Sequence, residues 1–213
     1  MQEKYVKEFR AVGIEILNGY GITECAPVVA TNRNHYHRDG SVGQILKCCD
    51  VRIENDTSHS TVGEVGEIQV KGRNVILGYY HDEEATKEAL SDGWFRTGDL
   101  GYIDSEGFLY VTGRKKNLII LSNGENVSPE ELENLLLDND LVGEVVVCSE
   151  DSMITAEIFP NAEEGMENMD AITAQLQEII DVCNRRLPDY KRIQRLKARQ
   201  GEFEKTTTQK IKR

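Results

Sequence analysis

Several things are scarce in this 213-residue chain, and each scarcity excludes something. No apolar run approaches the roughly 20 residues that span a bilayer as a helix. The N-terminal stretch MQEKYVKEFR has no apolar core of a secretory signal. Five cysteines (Cys25, Cys48, Cys49, Cys148 and Cys183) form no C-x-x-C pair and no metal-ligand spacing. The number is odd, so a reduced, cytoplasmic protein is expected. Cys148 and Cys183 sit in apolar patterns and are expected in the core. Positive charge is in deficit, with a net charge of -12, which argues against a general nucleic-acid binder. A Gly-x-x-x-x-Gly-Lys-Ser/Thr loop is missing, and with it the usual cradle for a triphosphate. His35 and His37 flank Tyr36 in a polar stretch that reads as a surface loop rather than a metal site.

What is present begins with 39% hydrophobic residues, enough for a packed core. The scarce positive charge is concentrated at the end. Residues 185–213 hold eleven Lys/Arg against three Asp/Glu, a local excess of eight. A solvated basic tail and a segment facing a phosphate-rich ligand both fit that excess.

Residues 40–112 read as short strands and turns, a small barrel or distorted sheet. Before them, Ile14 and Ile16 suggest a strand leading into a turn. Asp82 to Leu90 reads as a short helix capped by Asp82. After Gly113 the pattern changes. Asn117 to Leu121 is a strand candidate. Ser128-Pro-Glu-Glu131 starts a helix, with Pro129 at its first position and Glu131 placed to close a capping box. Glu144 to Cys148 and Met153 to Phe159 read as a hairpin. Asn161 to Asp170 is an acidic loop. Ile172, Leu176, Ile179, Cys183 and Leu187 follow at helical spacing, ended by Pro188. The fold class is therefore α+β, a β-rich first part followed by a compact α+β unit with its boundary at 113–117.

Four motifs carry candidate chemistry. In Asn18-Gly-Tyr-Gly-Ile-Thr-Glu24, Gly19 and Gly21 leave room on both sides of Tyr20, whose ring can lie against a purine. Thr23 offers a hydroxyl to a phosphate, and Glu24 a hard carboxylate to Mg²⁺. In Trp94-Phe-Arg-Thr-Gly-Asp99, a carboxylate after a tight turn can accept both ribose hydroxyls. In Gly113-Arg-Lys-Lys116, the Arg114 fork suits phosphate or ribose oxygens. In Thr206-Thr-Thr-Gln-Lys-Ile-Lys-Arg213, Lys210 matters where water is excluded. An ammonium about 4 Å from a unit negative charge gains roughly 1 kcal/mol in water and about 4 at a partly buried site. Each motif alone also reads as an ordinary turn, salt bridge or tail.

Taken in order, these motifs resemble the adenylate-forming superfamily: acyl-CoA synthetases, luciferases and the adenylation domains of peptide synthetases. Gly66–Tyr80 is similar to that family's Gly-Glu-Ile…Gly-Tyr-Tyr segment. Residues 117–133 look more like bacterial long-chain fatty acid–CoA ligases than amino-acid adenylation domains. The resemblance implies a remnant of a large adenylate-forming domain over 1–112, ending in a distorted β-barrel. It also implies a mobile lid domain over 113–213, turning about a hinge at 114–117. By it, Tyr20 and Gly21 bind adenine, Thr23 the α-phosphate, Glu24 Mg²⁺, and Asp99 with Arg114 the ribose. Lys116 is the hinge, Lys210 bridges the acid carboxylate and the α-phosphate, and Gly124 approaches the pantetheine arm of coenzyme A. ATP, Mg²⁺, coenzyme A and a carboxylic, fatty acid are the implied ligands, with peripheral membrane contact compatible.

The family's N-terminal subdomains, with their phosphate loop, have no counterpart in this sequence. The chain is therefore expected to be a C-terminal fragment, inactive alone and dependent on the N-terminal part of its own enzyme. Loading of a carrier-protein phosphopantetheine, and a non-catalytic nucleotide-binding module, are the alternatives. Gln209 stands where the family has Gly, and Glu204 where it has Pro.

Overall fold

A computed structural model describes residues 3–55, 62–121, 123–161, 169–207 and 209–212. The chain divides into two units, Met1–Lys116 and Asn117–Arg213. Both mix strands and helices, so the α+β class holds.

The first unit opens with α1 (Glu3–Ala11), which anchors through buried Val6. The strand suggested around Ile14 and Ile16 is absent: this stretch has no regular structure, and Ile14 is exposed. Alternation of two isoleucines needs a pairing partner to become a strand, and pairing starts only at β1 (Gly19–Gly21). The remaining strands of this unit are β2 (Val28–Thr31), β3 (Gly43–Ile45), β4 (Cys49–Glu54), β5 (Gly66–Gly72), β6 (Leu90–Ser91), β7 (Trp94–Ile103) and β8 (Phe108–Arg114). They form one sheet in the order β1-β2-β3-β8-β7-β5-β4, with β6 beside β7. Every pairing in it is antiparallel.

Among the described residues this is the distorted sheet rather than a closed barrel. Bulges at Tyr20/Gly21, Glu67/Gln69 and Leu100/Gly101 supply the distortion. An extra residue in one strand bends it and re-aims its side chains. Cys25, Val29, Ala30, Ile68, Val70, Phe95 and Leu109 make the buried core. Helix α2 (Glu83–Ala89) starts as its sequence directs: the Asp82 carboxylate accepts the Ala85 N–H at 2.9 Å.

The second unit holds the short hairpin β9 (Ile119–Ile120) and β10 (Asn126–Val127), then α3 (Pro129–Leu137). Strands β11 (Val142–Glu150) and β12 (Met153–Pro160) form the expected hairpin. After α4 (Met169–Asn184), β13 (Arg195–Ala198) lies parallel to β12, a pairing that needs a long crossover connection, which α4 supplies. Leu132, Leu136, Ile172, Leu176 and Ile180 from the helices share one core with Val145, Val147, Ile154, Ala156 and Ile158 from the sheet.

Two expectations fail here. Cys148 is exposed, because strand alternation sends Val145 and Val147 inward and Cys148 outward. The capping box at Ser128 does not close: the Ser128 hydroxyl donates to Glu130 at 3.0 Å, and Glu131 is taken by Lys191 at 2.7 Å. Most of the acidic loop expected over 161–170, residues 162–168, lies outside the described residues.

Candidate functional site

In the first unit the sheet brings three of the four motifs together. Asp99 on β7 and Arg114 on β8 are direct cross-strand partners. This register sets the two side chains opposite each other, with the Arg114 Nε at 2.7 Å from Asp99 Oδ1. From β1, the Tyr20 hydroxyl donates to Asp99 Oδ2 at 2.7 Å. Asp99 is only 5% exposed, and a buried carboxylate is tolerated because both oxygens are engaged. Each oxygen accepts one of these bonds and has a further lone pair to offer. Burial, with the neighbouring Asp99 carboxylate, pushes the Tyr20 phenol well above its usual range, so it is a fixed donor.

The turn behind Asp99 is braced from three sides. Gly98 has φ 68°, the left-handed region that favours glycine. The Thr97 hydroxyl donates to the Ile68 carbonyl at 2.7 Å and accepts the Asp99 N–H at 3.0 Å. Glu67 accepts the Gly98 N–H at 3.2 Å through one oxygen and the Lys115 ammonium at 2.8 Å through the other. Glu67 and Thr97 were not singled out from sequence. An acidic residue inside the apolar run Gly66-Glu-Ile-Gln-Val70 was the available signal, since such a charge must be paired if the strand is buried.

Thr23 and Glu24 lie on a one-turn 3-10 helix, Thr23–Cys25, directly after β1. Gly21 is required just before it, because a Cβ there would meet the Pro27 carbonyl oxygen at 2.0 Å. Thr23 is exposed and Glu24 half-buried. The Tyr79 hydroxyl donates to Glu24 Oε1 at 3.1 Å. Behind it, Cys25 is fully buried, and burial pushes its thiol up to about 11. It is a core residue.

No group of three or more His, Cys, Asp or Glu among the described residues could hold a metal ion, and His35 is simply exposed. A lone hard carboxylate still fits Mg²⁺, which commonly takes one or two carboxylates, substrate phosphates and waters.

Gly124 and Lys210 belong to the second unit. Gly124 lies in the loop between β9 and β10, exposed, with φ 84°. Lys210 is exposed on a small hairpin closed by Thr206 N–H to the Lys210 carbonyl (2.7 Å) and Lys212 N–H to the Glu204 carbonyl (2.8 Å). Gln209, in the turn, has φ 60°. That is the position where a three-residue hairpin loop wants glycine. The base of the hairpin is held by Glu144, which accepts the Phe203 N–H at 2.8 Å and pairs with the Lys205 ammonium.

Much of the concentrated basic charge is spoken for: Lys191 pairs with Glu131, Arg195 and Lys197 with Glu150, and Arg199 with Glu157. Those four side chains are braced by ion pairs.

Residues 1–80 match the AMP-binding enzyme family and residues 116–213 the AMP-binding enzyme C-terminal domain. The chain belongs to the adenylate-forming superfamily. Within it, the chain is 38% identical over 188 residues to a 2-succinylbenzoate–CoA ligase of Bacillus velezensis, covering 87% of this chain and 37% of that one. It is 38% identical over 171 residues to the long-chain fatty acid–CoA ligase FadD15 of Mycobacterium bovis, covering 78% and 27%. The o-succinylbenzoate–CoA synthetase of Bacillus subtilis, solved with its acyl-adenylate intermediate, superposes with a TM-score of 0.84 at 32% identity, over 99% of this chain and 42% of that one. The same synthetase solved with ATP and magnesium gives 0.83 at 31%. The chain thus spans about two fifths or less of the length of these relatives. No helix among its described residues is long and apolar enough to cross a membrane.

Proposed function

We propose that this chain supplies the C-terminal part of an ATP-dependent acid–CoA ligase. The enzyme converts a carboxylic acid and Mg-ATP into an acyl-adenylate and pyrophosphate, then into acyl-CoA with release of AMP. The observation that carries this is the buried Asp99 carboxylate, held on one oxygen by Tyr20 and on the other by Arg114, three residues from three motifs. Such a carboxylate presents acceptors of fixed direction to a vicinal diol, the ribose of the nucleotide.

In this reading the Tyr20–Gly21 strand takes the adenine and Thr23 the α-phosphate. Glu24 holds Mg²⁺, which offsets phosphate charge. Lys210 joins the acid carboxylate to the α-phosphate during adenylation. Lys116, the last residue of the first unit, is the hinge. Turning there withdraws Lys210 and brings the Gly124 loop toward the pantetheine thiol. Water exclusion by such a lid raises the worth of every charge inside.

The acid is assigned by class. Identity to FadD15 supports a fatty acid, and equal identity to the succinylbenzoate ligase supports an aromatic one. A carboxylate activated as its adenylate is common to both. Coenzyme A as the thiol is favoured over a carrier protein because both relatives are CoA ligases.

The test is a chimera joining this chain to the N-terminal three-fifths of the Bacillus subtilis synthetase. We expect pyrophosphate release and acyl-CoA from the chimera, adenylate formation lost on Lys210→Ala, and no turnover by the 213-residue chain alone. A folded, AMP-binding chimera that forms no adenylate would refute the proposal, as would unchanged adenylation by Lys210→Ala.

A further inference from the structure

Tyr79 lies 55 residues from Glu24 in sequence, yet its hydroxyl donates to Glu24 Oε1 at 3.1 Å. The contact is one stitch of several between the loop after β5 and the turn that carries Glu24. The Ile76 N–H donates to the Glu24 carbonyl at 2.9 Å. The Asn74 amide donates to the Cys25 carbonyl at 3.1 Å and to the Val28 carbonyl at 3.4 Å. Tyr79 itself is fixed from behind. Its backbone N–H donates to the Thr86 hydroxyl at 2.8 Å, and that hydroxyl donates to the Asp82 carbonyl at 2.7 Å. Helix α2, started by Asp82, thereby sets the place of the tyrosine.

A glutamate has three side-chain torsions, and a half-exposed one costs rotamer entropy to hold in a single geometry. The Tyr79 bond narrows that freedom before any ligand arrives, and occupies one oxygen while the other keeps its acceptor capacity. Partners of this kind orient metal-binding carboxylates, and their removal weakens metal affinity.

We propose that Tyr79 is a positioning residue that aims Glu24 at the magnesium of the bound nucleotide. The proposal rests on the nucleotide-binding reading above. Calorimetric titration of this chain separates the two. AMP without divalent metal probes the ribose and adenine side. ATP with and without Mg²⁺ probes Glu24. We expect AMP to bind wild type and Tyr79→Phe within about twofold of each other. Mg²⁺ is expected to tighten ATP binding to wild type about tenfold, and Tyr79→Phe is expected to lose most of that gain. Glu24→Gln sets the floor, with no gain at all. Electron paramagnetic resonance of Mn²⁺ in the ATP complex reads the metal site directly and is expected to show the same order. A Tyr79→Phe protein that keeps the full metal-dependent gain overturns the proposal, as does a wild type that binds AMP but gains nothing from Mg²⁺. Failure of wild type to bind AMP removes the nucleotide reading itself, and the proposal with it.

Discussion

Asp99 shows how one residue's cost is met by its neighbours. A carboxylate this buried is stable only while both oxygens are bonded, and Tyr20 from β1 and Arg114 from the neighbouring β8 supply those bonds. Tyr20→Phe is therefore expected to cost roughly 1.5–3 kcal/mol of stability by chemical denaturation, the usual loss for a hydrogen bond to a charged group. Gln209 is the opposite case, a residue whose own backbone bears the cost. Its φ of 60° disfavours any side chain by roughly 1–2 kcal/mol. Gln209→Gly is expected to slow hydrogen exchange at the Thr206 and Lys212 amides about fivefold, and unchanged exchange would show the turn is unstrained. Tyr20, Asp99 and Arg114 were legible as candidates because their motifs place special residue types at tight turns. Tyr79 and Glu67 were not, because their importance comes from partners 55 and 31 residues away, which no local spacing reveals. Cys148 was misread because an apolar run does not say which of its alternate members faces out.

At the scale of elements, strand register does most of the positioning. Asp99 meets Arg114 because β7 and β8 are paired in that register, and the Tyr20/Gly21 bulge on β1 locally re-aims the strand that carries Tyr20. The terminal hairpin depends on Glu144 of β11. Burial of that side chain alone would raise its pKa, but the Lys205 ammonium and the Phe203 N–H outweigh it and hold the carboxyl below its usual range. A lowered folded pKa means stability that is present above the unfolded value and lost as pH falls through the folded one. Acidification below about pH 4 is thus expected to free the hairpin. The Phe203 amide shift in NMR should report a transition there, and Glu144→Gln should remove it. Element types were mostly readable, from the Asp82 cap of α2 to the β11–β12 hairpin. Helix α1 and the failed capping box at Ser128 were not. The first is a short helix anchored by Val6, and in the second Lys191 draws Glu131 away.

At the scale of the molecule, two separate cores explain why the chain divides where it does. Among the described residues, the second unit buries fifteen hydrophobic side chains in one cluster. Residues 117–213 expressed alone are expected to unfold as one cooperative transition by calorimetry, and absence of a transition would show that the unit needs its neighbour. The first unit differs. Leu77 is wholly exposed, Tyr80 is 90% exposed, and Val12 and Ile14 of the same unit are exposed as well, so residues 1–116 alone are expected to associate on concentration in light scattering. The change of pattern after Gly113 lies close to the division between the two units at Lys116 and Asn117. The central claim is narrower than the whole reaction: Tyr20, Asp99 and Arg114 form a nucleotide site. Titration of the 213-residue chain with AMP tests it most directly. The account expects one AMP per chain, with affinity at least about tenfold weaker in Asp99→Asn, since bonds to a charged acceptor are lost. No binding, or equal binding by the two proteins, would contradict it.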